Sequence, residues 1–256
     1  MNPLQRALIE KAGNDHGFEY VMPSGDKCVE LASARHLAQV RITPETNRFL
    51  LSFTSPSGNL LNAELVRTFP DFSRKAGDLI APNQDALVRL IRRAAELARV
   101  LPNQAADEFD ASLKRELEHL PNELRGTEVE RLVRQRIGQQ SFRNAMLEYW
   151  RGACALTGIS LPELLRASHA KPWANCESVF ERLDVFNGFL LSANLDALFD
   201  RFLISFNETG AIMVSPRISP DVQAQLGLNQ PLQLRWLAPE HQPYMNYHRE
   251  RFGANT

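Results

Sequence analysis

Cysteine is scarce in this chain: three in 256 residues, at Cys28, Cys154 and Cys176, with no CxxC pair. That spacing excludes a disulfide framework and a four-cysteine zinc site. Long apolar runs are missing as well. None approaches the roughly 18–20 residues that span a bilayer, so no membrane partner is expected. The opening Met1-Asn2-Pro3-Leu4-Gln5-Arg6, followed by Glu10, Lys11 and Asn14-Asp15, lacks the apolar stretch of a secretory signal. The expected location is the cytoplasm. Charge of one sign is also absent, with 29 Lys+Arg against 30 Asp+Glu and a net charge of −1. Taken alone, that sum makes no case for a polyanionic partner, although local distribution outweighs it. There is no internal repeat and no low-complexity tract. Apolar residues, by contrast, make up 44% and include 14 Phe and 3 Trp, which excludes a disordered chain and can fill one large core or two ordinary ones.

The pattern along the chain predicts an α+β protein in unequal parts. Residues 1–100 read as a mixed α/β accessory domain, a short leading helix followed by strand-like runs. Gly17 to Met22 is short and aromatic and stops at Pro23-Ser24-Gly25-Asp26. Ala38 to Ile42 alternates with period two, and Arg48 to Phe53 is a further strand candidate ended by Ser55-Pro56-Ser57-Gly58. Asp85 to Val100 carries a helical apolar stripe, with Arg92 and Arg93 on its other side. Leu101-Pro102-Asn103-Gln104 breaks that helix, because proline disfavours α geometry in the residue before it. A charged helix from Ala105 to about Leu120, stopped by Pro121-Asn122, makes 101–124 a helical linker to the remainder, 125–256. From Arg125 to Arg151, six arginines stand against three glutamates, and Lys171 is the one lysine after Asn122. Arginine offers a planar fork of donors to phosphate oxygens; a solvated, ion-paired helix face accounts for the same pattern.

The chemistry is concentrated between Gly152 and Phe206. A strand ending near His169, a loop, a strand at Gly188 to Leu191 and a short helix from Asn194 are expected, with Asn194 capping the helix. Asp196 and Asp200 are i and i+4 on that helix, so their carboxylates share a face. Like charges on adjacent turns repel, and a hard cation such as Mg²⁺ or Mn²⁺ would reverse the penalty. Alternatives exist for each residue. Asp200 could pair with Arg201 or Arg166, Asn187-Gly188 could be a plain turn, and Asp184 suits a turn cap better than a ligand. Cys154 suits a core position.

The run Ala167-Ser168-His169, Lys171-Pro172-Trp173, Arg182-Leu183-Asp184, Asn187-Gly188 and Leu195-Asp196-Ala197-Leu198-Phe199-Asp200 resembles the HNH endonucleases and their ββα-metal finger. Nine residues from Asn187 to Asp196 and four more to Asp200 repeat the family's spacing. Together with Arg136-Ile137-Gly138-Gln139-Gln140-Ser141-Phe142-Arg143, the wording is similar to a bacterial restriction and defence branch. The resemblance runs from about Arg134 onward, with the finger core near 152–206. It implies His169 as general base, Asn187 as the residue that orients it, and Asp196, Asp200 and Ser168 as metal ligands. The site departs from the family where an Asp or His ligand commonly precedes the base and where the helix ligands are often His. Two carboxylates favour Mg²⁺ or Mn²⁺, and no structural zinc is expected. The implied partner is double-stranded DNA, with phosphate contacts expected from Arg134, Arg136, Arg143, Lys171, Arg201, His248 and Arg249. The aromatic tail from Trp236 to Phe252 either makes such contacts or docks on the core. Three alternatives stay open: a non-catalytic DNA-binding finger, an N-terminal domain serving partner binding or homodimer formation, and RNA as the substrate.

Overall fold

A computed structural model describes the chain except residues 73, 76, 77, 103, 120, 122–125, 127, 255 and 256. The expected features at Asn103, Leu120, Asn122 and Arg125 lie outside the described residues. The fold is α+β and divides into two compact units, Met1–Gln104 and Ala105–Thr256.

The first unit begins with α1 (Pro3–Asp15), whose Asn2 cap accepts from Gln5 N at 2.7 Å. Six strands follow in the sheet order β1-β2-β3-β4-β6-β5: β1 (Tyr20–Met22), β2 (Val29–Ala32), β3 (Gln39–Pro44), β4 (Phe49–Thr54), β5 (Arg74–Lys75) and β6 (Asp78–Ala81). Neighbouring strands pair antiparallel throughout this sheet. Val29, Leu31, Val40, Ile42, Leu51 and Phe53 are buried, the alternation of a sheet with one face on a core. Helix α2 (Leu60–Thr68) precedes α3 (Gln84–Val100), and Leu87, Leu90, Ile91, Ala94 and Leu97 of α3 supply the opposing apolar stripe. Arg93 departs from expectation. It is buried, not solvated, and donates to Glu96 at 3.0 Å. Leu101, before Pro102, is extended at ψ 152° and ends α3.

The second unit opens with α4 (Gln104–Glu118) and α5 (Glu128–Tyr149). The linker expected over 101–124 is corrected here, since Phe109 and Leu113 of α4 are buried and pack within this unit. Next come β7 (Leu165–His169), α6 (Val179–Leu183), β8 (Gly188–Ser192) and α7 (Ala193–Phe199). A second strand pair, β9 (Ile204–Phe206) with β10 (Ile212–Val214), is followed by α8 (Pro220–Gln225) and α9 (Gln242–Ala254). The core is aromatic: Trp150 stacks on Trp236 at 4.2 Å, and Tyr149 meets Trp150, Phe186 and Trp236 edge-on. Among the described residues, no helix is long and apolar enough to cross a membrane.

Candidate active site

Strands β7 and β8 pair antiparallel from Leu165↔Ser192 to His169↔Gly188, and α7 follows β8 with no intervening loop. Ser192, not Asn194, is the N-cap of α7, and its Oγ donates to Asn194 Oδ1 at 2.7 Å. The expected cap is corrected because the strand runs directly into the helix. Gly188 allows the two strands to close. A Cβ there would stand 2.0 Å from the Ser168 carbonyl oxygen.

Asn187 is fully buried between the β7 end and the loop that follows it. Its Oδ1 accepts from Lys171 N at 2.8 Å, and its Nδ2 donates to Glu181 O at 2.7 Å. Longer contacts run from Nδ2 to Lys171 O and Cys176 Sγ, both at 3.3 Å. One side chain therefore ties both sides of the 171–181 loop to the start of β8. Asp184 acts as the expected turn cap: its Oδ1 accepts from Phe186 N at 2.9 Å, while its Oδ2 accepts from Tyr244 Oη of α9 at 2.9 Å. Burial raises its pKa to about 6. Cys154 is buried, as its core assignment required.

His169 ends β7 with its ring stacked on Phe142 of α5, centroids 3.8 Å apart, and Trp173 edge-on at 5.8 Å. Its Nε2 lies 2.9 Å from Arg182 O. A carbonyl oxygen only accepts, so Nε2 carries the proton and Nδ1 keeps a lone pair. Burial lowers the pKa to about 4, against a small opposing pull from the Arg182 carbonyl.

His169, Asp196 and Asp200 line one cleft of about 530 Å³ together with Gln139, Phe142, Trp173 and the Arg143 and Arg166 side chains. Asp196 is half-buried and takes a 2.5 Å hydrogen bond from the buried Ser168 hydroxyl on its Oδ1. Asp200, at the end of α7, has its backbone N–H on Asp196 O at 2.9 Å. Enclosure in the cleft raises the Asp200 pKa first and the Asp196 charge raises it further, while Arg201 opposes both. Among the described residues, no group of three or more His, Cys, Asp and Glu side chains is arranged to hold a metal ion.

Two short antiparallel strands, a helix leading straight from the second, and a histidine that lines one cleft with two helix carboxylates form a compact ββα unit. Residues 154–207 match the family model for HNH endonuclease. This segment is an HNH endonuclease domain. A search among curated proteins finds no match for the chain.

Around the HNH domain, the cations expected to meet phosphate are largely engaged elsewhere. Arg134 donates to Glu130 at 2.7 Å, and Arg136 lies 3.7 Å from Glu116. Lys171 is held by Glu181 at 2.9 Å and Glu177 at 3.6 Å. Arg143 donates to Leu165 O at 2.7 Å and Pro162 O at 3.2 Å, tying α5 to the start of β7. Arg249 donates to Phe206 O, Gln242 Oε1 and Asn246 Oδ1, which makes it a brace within the tail. His248 is corrected outright. It is 1% exposed, stacks on Phe199 at 3.8 Å, donates from Nε2 to Phe199 O and accepts at Nδ1 from Ser205 Oγ, both at 3.0 Å. Burial keeps it neutral, with a pKa of about 4. The tail docks on the core in the manner of the second alternative. Arg201 stays exposed and donates to Ala197 O at 3.0 Å.

Residue-by-residue reading missed the part played by α5. Gly138 lets the Trp173 ring approach, since a Cβ there would fall 2.3 Å from Trp173 Cη2. Phe142, one turn on, covers His169. The i, i+4 spacing within Gly138-Gln139-Gln140-Ser141-Phe142 was the available signal, because it places both residues on one helix face.

Proposed function

We propose that this protein is a divalent-cation-dependent endonuclease that hydrolyses DNA phosphodiester bonds, with His169 as the general base. The observation that carries this reading is the shared cleft, which a neutral His169 lines together with Asp196 and Asp200. The Arg182 carbonyl holds Nε2 protonated, so Nδ1 is the nitrogen that accepts a proton from the attacking water. The water oxygen then bonds to phosphorus and the bond to the 3′-oxygen breaks, leaving 5′-phosphate and 3′-hydroxyl ends. Asn187 fixes the loop behind His169, and Phe142 fixes the ring plane.

Asp196 and Asp200 are the residues that would hold the cation. Burial first and the Asp196 charge second raise the Asp200 pKa, and two like carboxylates one turn apart on α7 suit a hard cation better than they suit each other. Mg²⁺ is commonly bound by one or two protein carboxylates, with water and phosphate oxygens completing its shell, so a pair suffices where a closed protein cage is missing. When bound, the cation would stabilise charge on the scissile phosphate and the leaving oxygen. Ser168 serves this set by fixing Asp196 through its hydroxyl.

A restriction-type role follows if the first unit selects the target, because a finger gripping phosphates carries little sequence information of its own. A second reading of that unit, assembly, is favoured by β1. This strand lies at the sheet edge with Tyr20 55%, Val21 49% and Met22 38% exposed. Supercoiled plasmid with Mg²⁺ or Mn²⁺ tests the activity: nicking is expected from the wild type, lost in EDTA, and reduced about 10²–10⁴-fold in His169→Ala. Equal nicking by both proteins would sink the mechanism. Deleting residues 1–100 separates the roles of the first unit: a changed cleavage preference supports target selection, and a changed native mass supports assembly.

A further inference from the structure

Two of the cleft-lining side chains are cations, Arg143 and Arg166. Arg143 spends both terminal nitrogens on the Leu165 and Pro162 carbonyls. Arg166 is placed differently. Its Nη1 alone is engaged, donating to Glu163 O and Leu165 O, each at 2.9 Å, and the residue is exposed. None of the ion pairs found among the described residues involves it. The Asp200–Arg166 and Asp200–Arg201 pairs weighed from the sequence are absent from that set as well.

Strand geometry adds a direction. Side chains two apart share a face, so Arg166 lies on the face of β7 that carries Ser168, about 7 Å along the strand. Ser168 on that face bonds Asp196. A guanidinium anchored by one nitrogen to backbone carbonyls and held in none of the ion pairs found among the described residues is pre-organised for an anion. Anchoring also reduces the rotamer freedom lost on binding.

We infer that Arg166 is the phosphate clamp of the cleft, contacting non-bridging oxygens of the DNA phosphodiester presented to His169. This assignment rests on the endonuclease reading and adds to it the residue that seats the substrate. Arg166 donates charge-assisted hydrogen bonds through Nε and Nη2 and takes no part in proton transfer.

The test compares the wild type with Arg166→Gln, which keeps an N–H donor for the carbonyls without the charge, and with Arg143→Gln. Fluorescence anisotropy on a labelled 20-base-pair duplex in EDTA, over a NaCl series, reads binding with cleavage switched off. Arg166→Gln is expected to weaken binding about tenfold and to flatten the slope of log K against log salt by about 1. In the plasmid assay it should raise KM about tenfold and leave kcat within about threefold. Arg143→Gln should lower the melting temperature and leave the salt slope unchanged, as fits a structural tie. If His169-dependent nicking is present while Arg166→Gln keeps the wild-type KM and salt slope, the clamp is wrong and the nuclease reading survives. If the wild type neither binds nor nicks the duplex, both fail. A lowered Arg166→Gln melting temperature with an unaltered slope also overturns the clamp, since it makes Arg166 structural.

Discussion

At the scale of single residues, the site depends on positions where a small change is sterically or electrostatically expensive. Gly188 is the clearest. Replacing it with Ala puts a Cβ 2.0 Å from Ser168 O, against the backbone just before His169. Gly188→Ala is expected to lose several kcal/mol of stability by overpacking and to abolish nicking; urea unfolding and the plasmid assay check both. The order and spacing of His169, Asn187, Asp196 and Asp200 singled them out in the sequence, and the structure places His169, Asp196 and Asp200 on one cleft with Asn187 bracing the loop behind them. The partners that hold them were not legible there. The Arg182 carbonyl and the Lys171 backbone carry no sequence signature, since every residue has those groups. His248 shows the opposite failure. A histidine beside Arg249 and Arg251 reads as a phosphate contact, yet its ring is buried against Phe199.

Among elements, β7, β8, α7 and α3 were legible because each has a clean period or a sharp stop. Strand β2 was missed, for its four residues are too few for alternation to resolve. Helix α2 was missed as well; its Asn59 cap makes no side-chain hydrogen bond, and no acidic residue marks its first turn. The element with the most to test is α5. Truncating Phe142 to Ala removes the ring stacked on His169 and should cost about 3–5 kcal/mol. It also opens the imidazole to water. Since burial is what lowers the His169 pKa to about 4, exposure should raise it toward 6.5, and an NMR titration of the ring would follow that shift. An unchanged pKa would show that Phe142 does not control the desolvation.

For the molecule as a whole, buried ionisable groups set the acid limit. His36, His169 and His248 are each held at about 4 by burial, against 6.5 in a solvated chain. Between those values the unfolded chain takes up protons that the folded one refuses, so stability falls as pH drops from 6.5 toward 4. Asp184, raised to about 6, works in the other direction, because the folded state binds its proton first. Three histidines against one aspartate leave a net loss on acidification, visible as a falling urea midpoint from pH 7 to pH 4.5. The combined variant His36→Gln, His248→Gln should flatten that fall. The aromatic cluster has a different consequence, one for transplantation. Trp150 and Trp236 stack on each other from opposite sides of the family-matched stretch, and the Arg235 N–H reaches back to Ala155 O at 2.8 Å. The stretch 154–207 is therefore not a cassette that can be cut out and moved into another protein. Expressed alone it should give the circular dichroism of an unfolded chain, whereas 105–256 should melt cooperatively. Chimeras that carry the second unit should be joined near Gln104, where one compact unit ends and the next begins.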